Sequence, residues 1–295
     1  MNRMMSAALA AAITAAAADS AAAQQDFRWS GRLAAGQIVE IRNIKGEIRA
    51  EPAAGGEVTV TAHPHDGRTE RVRVEMARRG NGLVFCALYP SRGDDDDDDG
   101  RGRWNRDDDD DDRDEPRDAC NSHRGMNVRD SDADVDFVVH VPAGVKLSVK
   151  SVSGDVEVNG VRGPVEAASV SGDVHVSSAS EVRANSVSGN VYAALGRIPT
   201  NGLAFHSVSG DVTLELPAGT DADFSARTLS GEIDSDFPLT IEGRGRRDRD
   251  DDDDDRGWPR VRVRVGHDMR ARLGRGGPEL SVTTVSGDIN LRRAR

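Results

Sequence analysis

The sequence predicts an all-β fold: a single-stranded β-helix, or β-solenoid, with short coils of 17–21 residues. Three observations predict it. The first is a repeated phrase. Ser151-Val-Ser-Gly-Asp-Val156 recurs at 169–174, at 186–191 with Asn190 for Asp, and at 207–212, with looser copies at 228–233 and 284–289. Its glycines stand at 154, 172, 189, 210, 231 and 287, giving steps of 18, 17, 21, 21 and 56 residues. A period near 20 marks stacked units, none of which buries its apolar edge alone. The second observation is composition: 31 glycines, 4% aromatics and a valine-rich apolar set suit a thin, strand-rich body. The third is alternation of apolar and polar residues with period two, with no helical periodicity beyond the N-terminus.

Taken in order, the chain begins with an address. Arg3 is followed by the uncharged, Ala-rich stretch Met4 to Ala18 and the small residues Ala21-Ala22-Ala23. That pattern reads as a signal peptide over residues 1–23. No later stretch approaches the ~20 apolar residues of a membrane helix. The mature chain is therefore expected to be exported, periplasmic or secreted to the cell surface, with no membrane span.

Residues 24–142 read as an N-terminal β region. Gln37-Ile-Val-Glu-Ile41, Glu57-Val-Thr-Val-Thr-Ala62 and Arg71-Val-Arg-Val-Glu-Met76 alternate as half-buried strands do. Asn43-Ile-Lys-Gly-Glu-Ile48 is a degenerate copy of the phrase, so this region is expected to form the terminal cap of the stack. Within it, residues 91–118 are an acidic insertion carrying the runs Asp94 to Asp99 and Asp107 to Asp112. A matching insertion at 243–258 carries Asp250 to Asp255. Blocks of like charge bury nothing, so both insertions are expected to be disordered. Neither has the spacing of a calcium loop, and weak Ca²⁺ association is the most they support; no other cofactor and no metal site is expected.

In an oxidising compartment the two cysteines, Cys86 and Cys120, most simply form one disulfide. It would clamp the ends of the first insertion, worth about 3–4 kcal/mol in the chain-entropy model. Two free thiols, or a metal site with further ligands, are the alternatives.

Residues 143–295 are the repeat region. Val145, Leu147 and Val149 alternate into the first phrase, and a corner near Lys150-Ser151 is expected to shift the parity. On that reading Val152, Gly154 and Val156 point inward and Ser153 and Asp155 outward. The phrase at 284–289 closes the chain.

The Ser-Val-Ser-Gly-Asp-Val repeats, the N-terminal address and the closing Leu280-Ser-Val-Thr-Thr-Val-Ser-Gly-Asp-Ile289 resemble the bacterial putative-adhesin family of exported β-helical proteins. The resemblance covers nearly all of the mature chain outside the two insertions. It implies a β-solenoid and a role at the envelope or surface, with adhesion as a hypothesis that fold alone does not establish.

The repeats set two candidate rows side by side: Ser153, Ser171, Ser188, Ser209, Ser230 and Ser286, and Asp155, Asp173, Asn190, Asp211, Glu232 and Asp288. Stacked outward, they could meet cations or the hydroxyls of a glycan. Turn chemistry also explains them, because Asp after Gly hydrogen-bonds nearby backbone. Catalytic signals are thin. His63-Pro-His65 lacks the further ligands zinc needs, and no Gly-x-Ser-x-Gly elbow occurs. Identical residues on every coil do not supply the unlike groups an active site converges, so no enzyme is expected. The net charge of −12 argues against nucleic acid as a partner. The leading expectation is a non-enzymatic envelope or surface protein, adhesin-like, binding a glycan or protein. A stress-sensing or regulatory module acting through protein partners is the alternative, and a polysaccharide-active enzyme comes last.

Overall fold

The structure is a computed structural model describing residues 26–65, 72–89, 120, 133–241, 261–263 and 268–294. Both acidic insertions and the 1–23 address lie outside these residues. The chain is all-β and folds as a solenoid whose coils each contribute one strand to each of two facing sheets.

The regular coils follow directly from the phrase. β8 (Lys146–Ser153) and β9 (Val156–Val161) form one coil, β10 (Val165–Ser171) and β11 (Val174–Ser178) the next. β12 (Val182–Ser188) with β13 (Val191–Leu195), and β14 (Leu203–Ser209) with β15 (Val212–Leu216), continue the stack. Neighbours pair in parallel, residue for residue: Ser151, Ser169 and Ser186 are in register in the first sheet, and Val156, Val174 and Val191 in the second. The phrase is thus the corner between the sheets. Its first three residues end one strand and its last begins the other.

The stack is not in sequence order at either end. β16 (Ala222–Ser230) and β17 (Ile233–Ser235) do not lie against β14 and β15. The last strands of the chain, β21 (Glu279–Ser286) and β22 (Ile289–Arg293), slot between them, parallel to both neighbours. Beyond β16 and β17 the end is finished by antiparallel strands β18 (Leu239–Ile241), β19 (Val261–Val263) and β20 (Met269–Leu273). The phrase that closes the sequence is therefore one coil inside the end of the solenoid. The N-terminal end mirrors this. β2 (Ile38–Arg42) and β3 (Ile48–Pro52) form a coil against β8 and β9, and β6 (Gly82–Leu88) and β7 (Asp134–Val141) form one further out. Antiparallel β5 (Arg73–Arg79), β4 (Val58–His65) and β1 (Phe27–Gly31) finish that end. Eight parallel coils lie between two antiparallel caps among the described residues. The degenerate phrase 43–48 is the corner of one of these coils.

One core runs the length of the stack between the sheets. Val156, Val174, Val191, Val212 and Ile289 line one wall; Leu147, Val165, Val182, Leu203 and Leu280 line the other. The aromatics gather near the ends of this core. Trp29 and Phe27 pack on Phe85 at the N-terminal end, and Arg293 lies over Phe237 near the C-terminal one. The expected disulfide is present: Cys86 and Cys120 are joined, with Cα atoms 5.7 Å apart. It sits apart from the main core, in a small cluster with Val84 on the other face of β6, where it ties Cys120 to the sheet.

Candidate functional site

The corner decides what the solenoid shows to its surroundings, and it differs from the sequence expectation in one respect. Alternation does not slip before the phrase. Leu147, Val149 and Ser151 all point inward, and the slip comes at Ser153-Gly154-Asp155. The first serine of each phrase is therefore buried, and the first valine is turned out to solvent, not in. A serine can occupy the interior because it has a partner there. The hydroxyls of Ser169, Ser186 and Ser207 donate to the carbonyls of Gly154, Gly172 and Gly189 at 3.0–3.1 Å, each in the preceding coil. Thr284 and Thr228 do the same to Gly210 and Gly287 at 3.1 Å. Ser151 alone among these has a buried hydroxyl with no partner. The carbonyl beneath it, on Gly46, accepts from the Asn43 amide instead, at 3.3 Å.

The glycine is required by closeness, not by turn geometry. Any Cβ at Gly172 would collide with the Gly154 carbonyl, one at Gly189 with Gly172, one at Gly287 with Gly210 and one at Gly231 with Gly287. Among the glycines of the six repeated phrases only Gly210 has a positive φ, 153°, while Gly46 of the degenerate phrase has one of 109°. The corner amides continue the ladder without a break: Gly154 donates to Ser171, Gly172 to Ser188 and Gly210 to Ser286 at 3.0–3.2 Å.

Outside the corner lie three parallel rows. The serines at 153, 171, 188, 209, 230 and 286 are all exposed. In the acid row, one side-chain oxygen of each residue up to Asp288 accepts the amide of its counterpart in the next coil, and Glu232 ends the row. Asp155 accepts from Asp173 at 2.8 Å, Asp173 from Asn190 at 2.7 Å, Asn190 from Asp211 at 2.9 Å, Asp211 from Asp288 at 2.7 Å and Asp288 from Glu232 at 2.8 Å. An amide oxygen serves as well as a carboxylate, which is why Asn190 fits. These bonds are the local backbone chemistry that favours Asp after Gly, reaching across coils instead of within a turn.

The third row was not expected on the outside. Val152, Val170, Val187, Val285 and Leu229 are 42%, 47%, 46%, 39% and 65% exposed, and Val208 is half-buried in line with them. Met76, on a cap strand, is the sixth strongly exposed large apolar side chain among the described residues. Five of six in one line is not the scatter of single apolar residues a surface ordinarily carries. Counting parity onward from Val145 would have found this row, since it puts Ser151 inside and Val152 outside.

Elsewhere several titratable groups are paired. His63 lies 3.0 Å from Asp26 and His65 2.8 Å from Asp136, so the two imidazoles of His63-Pro-His65 face different carboxylates. The hydrogen bond from His63, together with that from Arg28, holds the Asp26 carboxyl below its ordinary value. The Tyr192 hydroxyl is bonded to Glu215, and that bond raises its pKa. No group of three or more His, Cys, Asp or Glu is placed to hold a metal, and no helix is long and apolar enough to cross a membrane, among the described residues.

Residues 124–268 match the family described as Toastrack DUF4097. No curated protein matches the chain. Two solved structures are similar in part. One is described as a putative cell adhesion protein from Clostridium sporogenes; it is 8% identical, with 92% of this chain and all of that chain covered, at a TM-score of 0.42. The other is described as a putative adhesin from Bacteroides fragilis, 7% identical over 92% of this chain and 98% of that one, at a TM-score of 0.28.

Proposed function

We propose that the protein is an exported, non-enzymatic, adhesin-like protein of the cell envelope or surface, whose corner edge binds a surface glycan or protein. The observation that carries this reading is the line of exposed valines with a serine row and an acid row beside it, repeated in six successive coils. Apolar contact surface, hydroxyls and the carboxylate oxygens not used by the next amide together form an extended ledge. Such a ledge suits a long, repetitive partner better than a small molecule in a pocket. The buried disulfide fits an oxidising compartment and so favours export. The repetition argues against catalysis, because each of these six coils offers the same groups.

The test is retention of the exported chain by cell-wall glycan and envelope-protein fractions, compared with a Val170→Thr, Val187→Thr, Val285→Thr variant. Threonine keeps the β-branched shape that strands favour and removes the apolar surface. The reading expects retention by at least one fraction and its loss in the variant at unchanged melting temperature. No retention of either protein, or equal retention of both, would overturn it.

A further inference from the structure

From the two flanks of the valine line we infer that the partner of the corner edge is a second copy of this chain, docked side by side with its stack parallel to the first. This rests on the reading of the corner edge as the binding face. The line is straight and in register, so it is complementary to itself: Ser169 lies level with Ser186 and Ser171 with Ser188, which sets Val170 beside Val187. A twofold axis along the line brings each valine against its own counterpart, as a closed dimer contact requires.

Charge selects the direction. On one side of the valines runs the acid row, with a carboxylate in five of six coils. On the other side, two residues back along each strand of the same sheet, lie Lys150, Ala168, Asn185, His206, Thr283 and Arg227, which pair with one another across neighbouring strands. This row holds no carboxylate. It carries a cation at each end, Lys150 bonded to Glu40 and Arg227 to Asp268. With the twofold axis along the line, the acid row of each copy lies over this carboxylate-free row of the other. With the stacks antiparallel, acid row would face acid row, and like charges brought together suppress such a pairing. The parallel arrangement leaves both N-terminal caps at the same end, the geometry of neighbours on one surface.

The area sets the strength. Six coils spaced at ~4.8 Å, with about four residues' width across the corner, offer roughly 400 Å² per copy, about half of what a standard stable interface buries. The contact is therefore a weak, transient one that gains its effect where copies are crowded together.

Sedimentation velocity of the exported chain over a concentration series tests this. The expected result is a reversible rise in the weight-average sedimentation coefficient that the Val170→Thr, Val187→Thr, Val285→Thr variant abolishes while keeping the wild-type melting temperature. A chain that stays monomeric throughout, or a variant that associates equally well, would overturn it. Direction is read from single-cysteine variants with the native disulfide intact. Val152→Cys and Leu229→Cys should each crosslink to themselves on mild oxidation. If only a mixture of the two crosslinks, the copies are antiparallel and the inference fails. Fractions from cells lacking the protein separate this inference from the function it rests on. A monomeric chain that those fractions still retain through the valines removes the second copy and keeps the adhesin-like reading. Self-association without retention supports the second copy and removes the glycan.

Discussion

The middle of the stack and its C-terminal end use the same corner but reach it differently. In the middle, β8 to β15 follow one another in sequence and in space, each coil adding 17–21 residues. At the end, the coil lying against β14 and β15 is made of β21 and β22, and the segment that follows β15 in sequence is displaced one place outward. Yet the corner chemistry is the same at both places. The Thr284 hydroxyl reaches the Gly210 carbonyl at 3.1 Å, just as Ser207 reaches Gly189. The Asp288 amide reaches Asp211 at 2.7 Å across 77 residues, as Asn190 reaches Asp173 across 17. A coil is thus accepted by its register, not by its distance along the chain. The outward rows stay continuous where the sequence does not.

The largest effect should come from removing the slotted coil. A chain ending at Pro278 lacks the buried Leu280, Val282, Ile289 and Leu291, each worth about 1.5–3 kcal/mol of burial. It also leaves β16 and β17 with no parallel neighbour. Hydrogen exchange should show the strands from 222 to 273 losing protection while those from 146 to 195 keep theirs; retained protection beyond 222 would mean the slot is not needed. Next come the glycines. Gly189→Ala in the middle and Gly287→Ala at the slot should each cost at least about 1–3 kcal/mol in denaturant unfolding, because both collide with a backbone carbonyl that cannot move aside. A much milder effect at Gly287 would break the equivalence of the two regions.

Smaller differences sharpen it. Ser186→Ala should destabilise by about 1 kcal/mol, the net worth of an internal hydrogen bond, whereas Ser151→Ala, whose hydroxyl has no partner, should be neutral or slightly stabilising. Equal losses at both would mean the glycine carbonyl is not what holds the inner serines. Smallest of all, Val187→Thr on the outside should shift stability by no more than about 0.5 kcal/mol, since the side chain supports nothing in the coil.

These magnitudes explain what could be read in advance. The solenoid was legible because the phrase repeats at a near-constant step and its flanks alternate. The pairing of Cys86 with Cys120 was legible from the expected compartment. The inward or outward sense of Ser151 and Val152 was not read correctly. Hydrophobicity alone puts valine inside, while a carbonyl of the previous coil, invisible in one dimension, makes room for serine. The stacking order was not legible at all. Phrases so alike fit beside one another in any order. The outward serines and acids were read as outward from an alternation that in fact breaks at Ser153, and the apolar row that lies with them followed only once the corner had been placed.

The continuity of the outward face across the slot is the claim on which the rest depends, and paired cysteines test it. Ser209 and Ser286 are register partners, as are Ser286 and Ser230, so Ser209 and Ser230 stand two strand spacings apart, about 9.6 Å. A disulfide needs Cα atoms within about 7 Å. The account predicts that Ser209→Cys with Ser286→Cys closes a disulfide under mild oxidation and that Ser209→Cys with Ser230→Cys does not. The reverse outcome, with 209 linking to 230 and not to 286, would place the coils in sequence order and contradict it.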